Sequence, residues 1–120
     1  MMQDQPSEYP KVVARVIPGV CGFVCIISAT RINARTIALE ISDTECRQIK
    51  QLSGQLTQMD LKELFMPLTK NPVYREAERA GCHPSCAIPC AVLKAAEVAM
   101  EMALPREVRI TFEPDSDAAP

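Results

Sequence analysis

The stretch "VCGFVCIISATRINARTIALEIS", residues 20–42, decides the fold. Its second half, "RTIALEIS" (35–42), alternates: Ile37, Leu39 and Ile41 share one face, while Thr36, Glu40 and Ser42 share the other. Its first half, Val20 to Ala29, is apolar at nearly every position, the pattern of a central strand covered on both faces. Arg31 to Ala34 makes the turn between them, with Asn33 suited to a positive φ. The two halves are expected to pair as an antiparallel hairpin.

Working outward, Lys11 to Ile17 reads as another strand, stopped by the turn pair Pro18-Gly19. Downstream, Ser42 and Glu45 have capping-box spacing and open a helix expected to reach Gln58. Its core stripe is Cys46, Ile49, Leu52, Leu56 and Met59, and Gly54 inside it invites a bend or a close approach. A second capping box, Asp60 with Glu63, starts a short helix through Phe65. Asn71-Pro72 caps and opens a third helix, and Gly81 stops it. The last helix, about Cys86 to Leu104, has Lys94, Glu97 and Glu101 as its only charges, on one narrow stripe. A helix apolar nearly all round is either a central core helix or one covered by a second subunit. Pro105 is expected to end it, and "EVRITFE" (107–113) to form a final strand with Val108, Ile110 and Phe112 inward.

Strands, then helices, then a strand predict an α+β fold: a small, mainly antiparallel sheet with helices packed on one face. At 120 residues this is one domain, expected over 11–113, with flexible termini at 1–10 and 114–120, where Pro, Asp and Ser abound and periodicity is lost.

Composition narrows the function. Hydrophobic residues make up 48 %, charged residues 23 %, and the net charge is −2, so no cationic excess is available to neutralise phosphates. With no Trp, three Phe and two Tyr, there is no platform for stacking bases, and a nucleic-acid partner is not expected. The opening "MMQDQPSEYP" lacks the basic n-region of a secretory signal. The most apolar run, "VCGFVCIISA", is about half the ~20 residues a membrane helix needs. These features predict a cytoplasmic chain with no membrane partner and thiols kept reduced. There is no phosphate loop, serine triad or carboxylate pair to mark a stand-alone enzyme, and the lone histidine excludes a multi-histidine zinc enzyme.

What remains is sulfur. The chain has six cysteines, three of them with the only histidine in "AGCHPSCAIPC" (80–90). Cys21 follows Pro18-Gly19 and precedes Gly22, where the backbone is small and able to turn. Cys25 lies four residues on; along a continuous strand the two would stand about 13 Å apart, so one ion could engage only one of them. Cys25, between Val24 and Ile26, reads as buried filling, the common fate of a free cysteine. Cys46 falls in the first turn of its helix, where the dipole favours a thiolate, though such a position is more often plain packing than chemistry. Cys86 is either the first residue of the last helix, capped by Ser85, or lies just before a helix that begins at Pro89. His83, three residues earlier, has a workable ligand spacing; by itself it would read as a surface or capping imidazole. Cys82 reads as exposed and Cys90 as core. Taken together, Cys21, Cys46 and Cys86 each stand at an element edge, with His83 beside the third: three thiols and one imidazole, a set that fits tetrahedral zinc or an iron–sulfur cluster with one non-thiolate ligand.

From about Pro18 to Phe112 the chain resembles a family of small, functionally unassigned proteins found mainly in anaerobic bacteria and archaea. The matching pieces are "PGVCGF" (18–23), "ISDTEC" (41–46), "HPSCAIP" (83–89) with "LKAAEVA" (93–99), and "LPREVRI" (104–110). The resemblance implies recurrent thiols at Cys21, Cys46 and Cys86, with His83 beside the last, and implies no particular activity. A fainter similarity, to the TSCPD domain, joins an early cysteine–glycine turn to a late Ser-Cys helix start and implies metal binding; here the late motif is Ser85-Cys86-Ala87, without that domain's following proline.

The expected function is therefore metal or iron–sulfur binding by Cys21, Cys46, His83 and Cys86. Two other readings stay open: a thiol redox protein with Cys86 as nucleophile and His83 as base, and a homodimeric interaction module joined through helix 86–104 with its cysteines merely buried.

Overall fold

In the computed structural model, residues 9–115 are described; residues 1–8 and 116–120, most of the two expected flexible termini, lie outside them. The expected hairpin is the centre of a four-stranded antiparallel sheet, in the order β1 (Val12–Val16), β2 (Cys25–Asn33), β3 (Thr36–Ser42), β4 (Gln58–Asp60). Register follows the side-chain pattern. Ala29 pairs with Leu39 and Ile27 with Ile41, which puts the apolar positions of both strands on one face. On that face Cys25, Ile27, Ala29, Ile37, Leu39 and Ile41 are all buried. Val12, Ala14 and Val16 extend it along β1, half-buried.

Helices cover this face: α1 (Arg47–Gln55), α2 (Leu61–Leu64), α3 (Pro72–Arg79) and α4 (Ala87–Ala99). The α+β class and its antiparallel sheet are as the sequence predicted. The last helix packs across β1, β2 and β3 and against α3, so its own chain covers most of its apolar surface.

Several boundaries differ for identifiable reasons. The central strand starts at Cys25, not Val20: Gly19 and Gly22 both take positive φ, and the Gly22 N–H donates to the Gly19 carbonyl at 2.9 Å, so residues 19–22 form a turn. The strand then runs on to Asn33, and Ala34-Arg35 makes the two-residue turn; Asn33 keeps a negative φ and uses its side chain to accept the Arg35 N–H at 2.9 Å. The Ser42–Glu45 capping box does not form, because Ser42 is still paired with Ile26 in the sheet. Asp43 turns the chain with φ 56°, and Cys46 becomes the N-cap. That helix ends at Gln55, because the next residues return to the sheet: the Leu39 N–H donates to the Thr57 carbonyl at 2.8 Å, and Met59 pairs with Ile37. Met59 is buried as expected, but from a strand.

The cap at Asn71 carries more than one job. Its Oδ1 accepts the Val73 N–H at 3.0 Å, and its Nδ2 faces the carbonyls of Glu63, Leu64 and Met66 at 3.3, 3.4 and 3.2 Å. One buried amide thus ties the end of α2 to the start of α3. Asn71→Ala is expected to lower unfolding free energy by about 2 kcal/mol, since it removes a cap and strands buried carbonyls. Urea unfolding should show a lower midpoint with an unchanged slope; an unchanged midpoint would contradict this role.

Two corrections concern the C-terminal part. The last helix stops at Ala99 rather than Leu104: Glu101 takes φ 62°, the Met102 N–H closes back on the Glu97 carbonyl at 2.9 Å, and Arg31 holds Glu101 in an ion pair at 3.2 Å. The expected final strand does not form within this chain. Val108, Ile110 and Phe112 are 59, 78 and 95 % exposed, because an alternating pattern supplies strand propensity but not a hydrogen-bonding neighbour.

Candidate functional site

Three of the thiols stand where the chain enters an element. Cys25 is the first residue of β2 and is wholly buried. Cys46 and Cys86 are the N-caps of α1 and α4, each with extended φ and ψ and neither side chain closing its own cap. Pro89 sits buried in the first turn of α4, where its missing N–H costs nothing, so Cys86 is left at the helix mouth. The Cys46 Sγ–H points to the Gln48 side-chain oxygen at 3.3 Å. Cys82 follows Gly81, whose φ of 78° turns the chain out of α3, and its N–H returns to the Ala77 carbonyl at 2.9 Å. A further turn, the Cys86 N–H on the His83 carbonyl at 3.0 Å, brings the chain from Cys82 to Cys86.

Electrostatics tie these thiols into one neighbourhood. The Cys25 thiol is pushed up from 9.0 to about 11, first by burial and then by Cys86 and Cys46. Cys82 rises to about 11 for the same reasons in the same order. Cys86 is also raised, by burial first; the Ile88 N–H opposes this, and Cys46 and Cys21 add to it. Cys86 is therefore the hub, felt by or feeling Cys21, Cys25, Cys46 and Cys82. Of the three thiols singled out by sequence, Cys86 is within electrostatic reach of both Cys46 and Cys21. Cys25 and Cys82 each feel both Cys86 and Cys46; the separation of about 13 Å expected for Cys21 and Cys25 assumed a continuous strand, which the turn at Gly19–Gly22 breaks.

Cys90 stands apart. It is exposed rather than core, one turn into α4, and its electrostatic neighbour is Tyr74, whose hydroxyl is raised by burial and then by Cys90. His83 is exposed and lines a shallow cleft of about 220 Å³ with Tyr74, Glu78, Cys82, Cys86 and Pro89. All six cysteines are free. Among the described residues, no three His, Cys, Asp or Glu side chains form a group already shaped to hold a metal ion. Among the same residues, no helix is long and apolar enough to cross a membrane.

These shifts have a stability consequence whose sign is fixed. A thiol whose folded pKa exceeds its unfolded value favours the folded state while protonated, and that contribution is lost as pH rises through the folded pKa. The metal-free chain is expected to hold its stability up to about pH 9 and to lose part of it between about pH 9 and 11, through Cys25 and Cys82. Denaturation midpoints across that window check this; a flat profile that stays flat in Cys25→Ala would contradict it.

A family model described as "Family of unknown function (DUF6951)" matches residues 12–112. The chain belongs to that family. The match begins at the first residue of β1 and contains all six cysteines and His83. No curated protein and no solved structure matches this DUF6951 chain. Membership therefore leaves the activity open, and the reading of the site rests on its own chemistry.

Proposed function

We propose that the protein binds a thiophilic metal, as a zinc ion or an iron–sulfur cluster, through Cys21, Cys46 and Cys86, with His83 as the fourth ligand. The observation that supports this reading is that two helix N-caps are both cysteine, Cys46 and Cys86, and that Cys86 is within electrostatic reach of Cys46 and of Cys21. Helix mouths present backbone N–H groups and positive dipole ends, an environment that favours thiolate sulfur. Several thiols at one place repel as thiolates, and a cation removes that penalty by binding the deprotonated form. Cys25 and Cys82, both within electrostatic reach of Cys86 and Cys46, are available as further sulfur ligands or as the wall around the metal.

Closure on the metal is assigned to the loop at 18–23. Its glycines tolerate the φ values a moving turn needs, and no atom beyond their chain neighbours lies within 4 Å of where a Cβ would stand on Gly19 or Gly22. The site would supply either structural cross-linking of three segments or a Lewis-acid centre. The alternative of a nucleophilic Cys86 has less physical support. A reactive thiol is activated by a lowered pKa, whereas burial and neighbouring sulfur hold Cys86 protonated.

Thiol protection tests the proposal. Adding zinc or ferrous ion with sulfide to the reduced chain, without oxygen, is expected to shield Cys21, Cys46 and Cys86 from alkylation while Cys90 stays reactive. Equal labelling of all four with and without metal would remove it.

A further inference from the structure

Residues 107–113 form no element, yet they keep the two-residue alternation of a strand. Val108, Ile110 and Phe112 all project into water. Among the described residues, this stretch makes no backbone hydrogen bond, and its side-chain contact is the local pair of Arg109 with Glu107. Three large apolar side chains on a backbone with unpaired N–H and C=O groups make a strand without a sheet. The segment is no appendage to the domain: the family match runs to Phe112, 13 residues past the end of α4 at Ala99 (112 − 99).

The sheet ends on an edge of matching chemistry. Among the described residues β1 pairs only with β2, so its other side has no strand beside it, and the opposite edge, β4, is three residues long. The core-side residues of β1, Val12, Ala14 and Val16, are half-buried, whereas their counterparts on β2 and β3 are buried. A strand laid beside β1 with Val108, Ile110 and Phe112 on the helix side would finish covering them. Its acidic Glu107 and Glu113 would then lie on the solvent side, where β1 and its approach carry Lys11 and Arg15.

The root of the segment decides whose edge it serves. Glu101 is fixed by its left-handed backbone and its ion pair with Arg31. Arg31 in turn donates to the Ala34 carbonyl at 3.1 Å and stacks over Tyr9 at 4.8 Å. Leaving that anchored point, the segment reaches none of its own strands. Every copy carries both a free strand and a free edge, so a two-fold exchange satisfies both. We infer that residues 107–113 of one chain add as a strand to the β1 edge of a second copy, and reciprocally, to form a strand-exchanged homodimer. This interface is distinct from one made through α4, and it does not depend on the metal reading.

Sedimentation of the full chain is expected to give twice the 13.2 kDa chain mass. Ile110→Asp and Phe112→Asp should each halve that mass with the circular dichroism of the folded body unchanged, since both side chains are already exposed. Amide exchange at residues 107–113 should be slow in the dimer and fast in Ile110→Asp. A full chain that sediments at the single mass overturns the inference, whether its arm is protected on its own β1 or left free for another protein. A dimer that survives both substitutions overturns it too, because another surface would then hold the copies together.

Discussion

Cys86→Ser is expected to abolish metal binding while leaving the fold intact. Cys86 is felt by Cys25 and Cys82 and itself feels Cys46 and Cys21, so its loss opens the proposed site at its most connected thiol. Removing merely an outer-sphere partner typically costs 10–100-fold in metal affinity, so deleting a ligand is expected to cost at least about 100-fold. The substitution is also kind to the helix. Cys86 is the N-cap of α4 and makes no side-chain cap hydrogen bond, whereas serine is among the best N-cap residues. Metal-free stability should therefore hold or rise slightly, which separates loss of the ligand from loss of the fold. Cys90→Ser is the matched control, because Cys90 faces Tyr74 instead of the other thiols. Equal metal content in the two variants would contradict the assignment.

Leu52→Ala is expected to be the most damaging single substitution to the fold. Leu52 is completely buried midway along α1, in the cluster that joins that helix to the sheet and to α3. Truncating such a leucine costs about 2–5 kcal/mol through lost transfer energy and the cavity left behind. A domain of this kind has only about 5–15 kcal/mol in total, so the melting temperature should fall by roughly 10 °C or more. Because α1 also presents Cys46, the same change should loosen the thiol group. Val20→Ala, at a fully exposed loop position, should shift stability by less than about 0.5 kcal/mol. Thermal unfolding followed by circular dichroism compares the two; a Leu52→Ala loss no larger than that of Val20→Ala would contradict the packing described.

Much of this architecture can be read from local pattern, and the failures have a common cause. The β2–β3 hairpin, the Asp60–Glu63 capping box and the Asn71-Pro72 start all follow from contacts within a few residues, and all are present. The α1 boundaries were misplaced because tertiary pairing outranked local signals. Ser42 looked like a cap but is held in the sheet, and Met59 fits a helical stripe but is claimed by β3. Residues 107–113 fail in the opposite sense: their local signal is strong, and no strand among the described residues answers it.

The candidate site divides in the same way. Cys46 and Cys86 were legible because helix starts leave marks in sequence: an apolar stripe, a serine or a proline. Cys25 reads as buried filling and is wholly buried, but its electrostatic coupling to Cys86 and Cys46 joins segments far apart in the chain and leaves no local mark. The Gly19–Gly22 pair, which closes a turn just before Cys25, is the sequence signal for where β2 begins.

The central claim concerns sulfur held around a metal, and elemental analysis of protein purified without oxygen tests it most directly. The account predicts about one zinc ion or one iron–sulfur cluster per chain, colourless in the first case and brown in the second. Folded protein recovered free of metal, and taking up none when zinc or iron with sulfide is supplied, would contradict it.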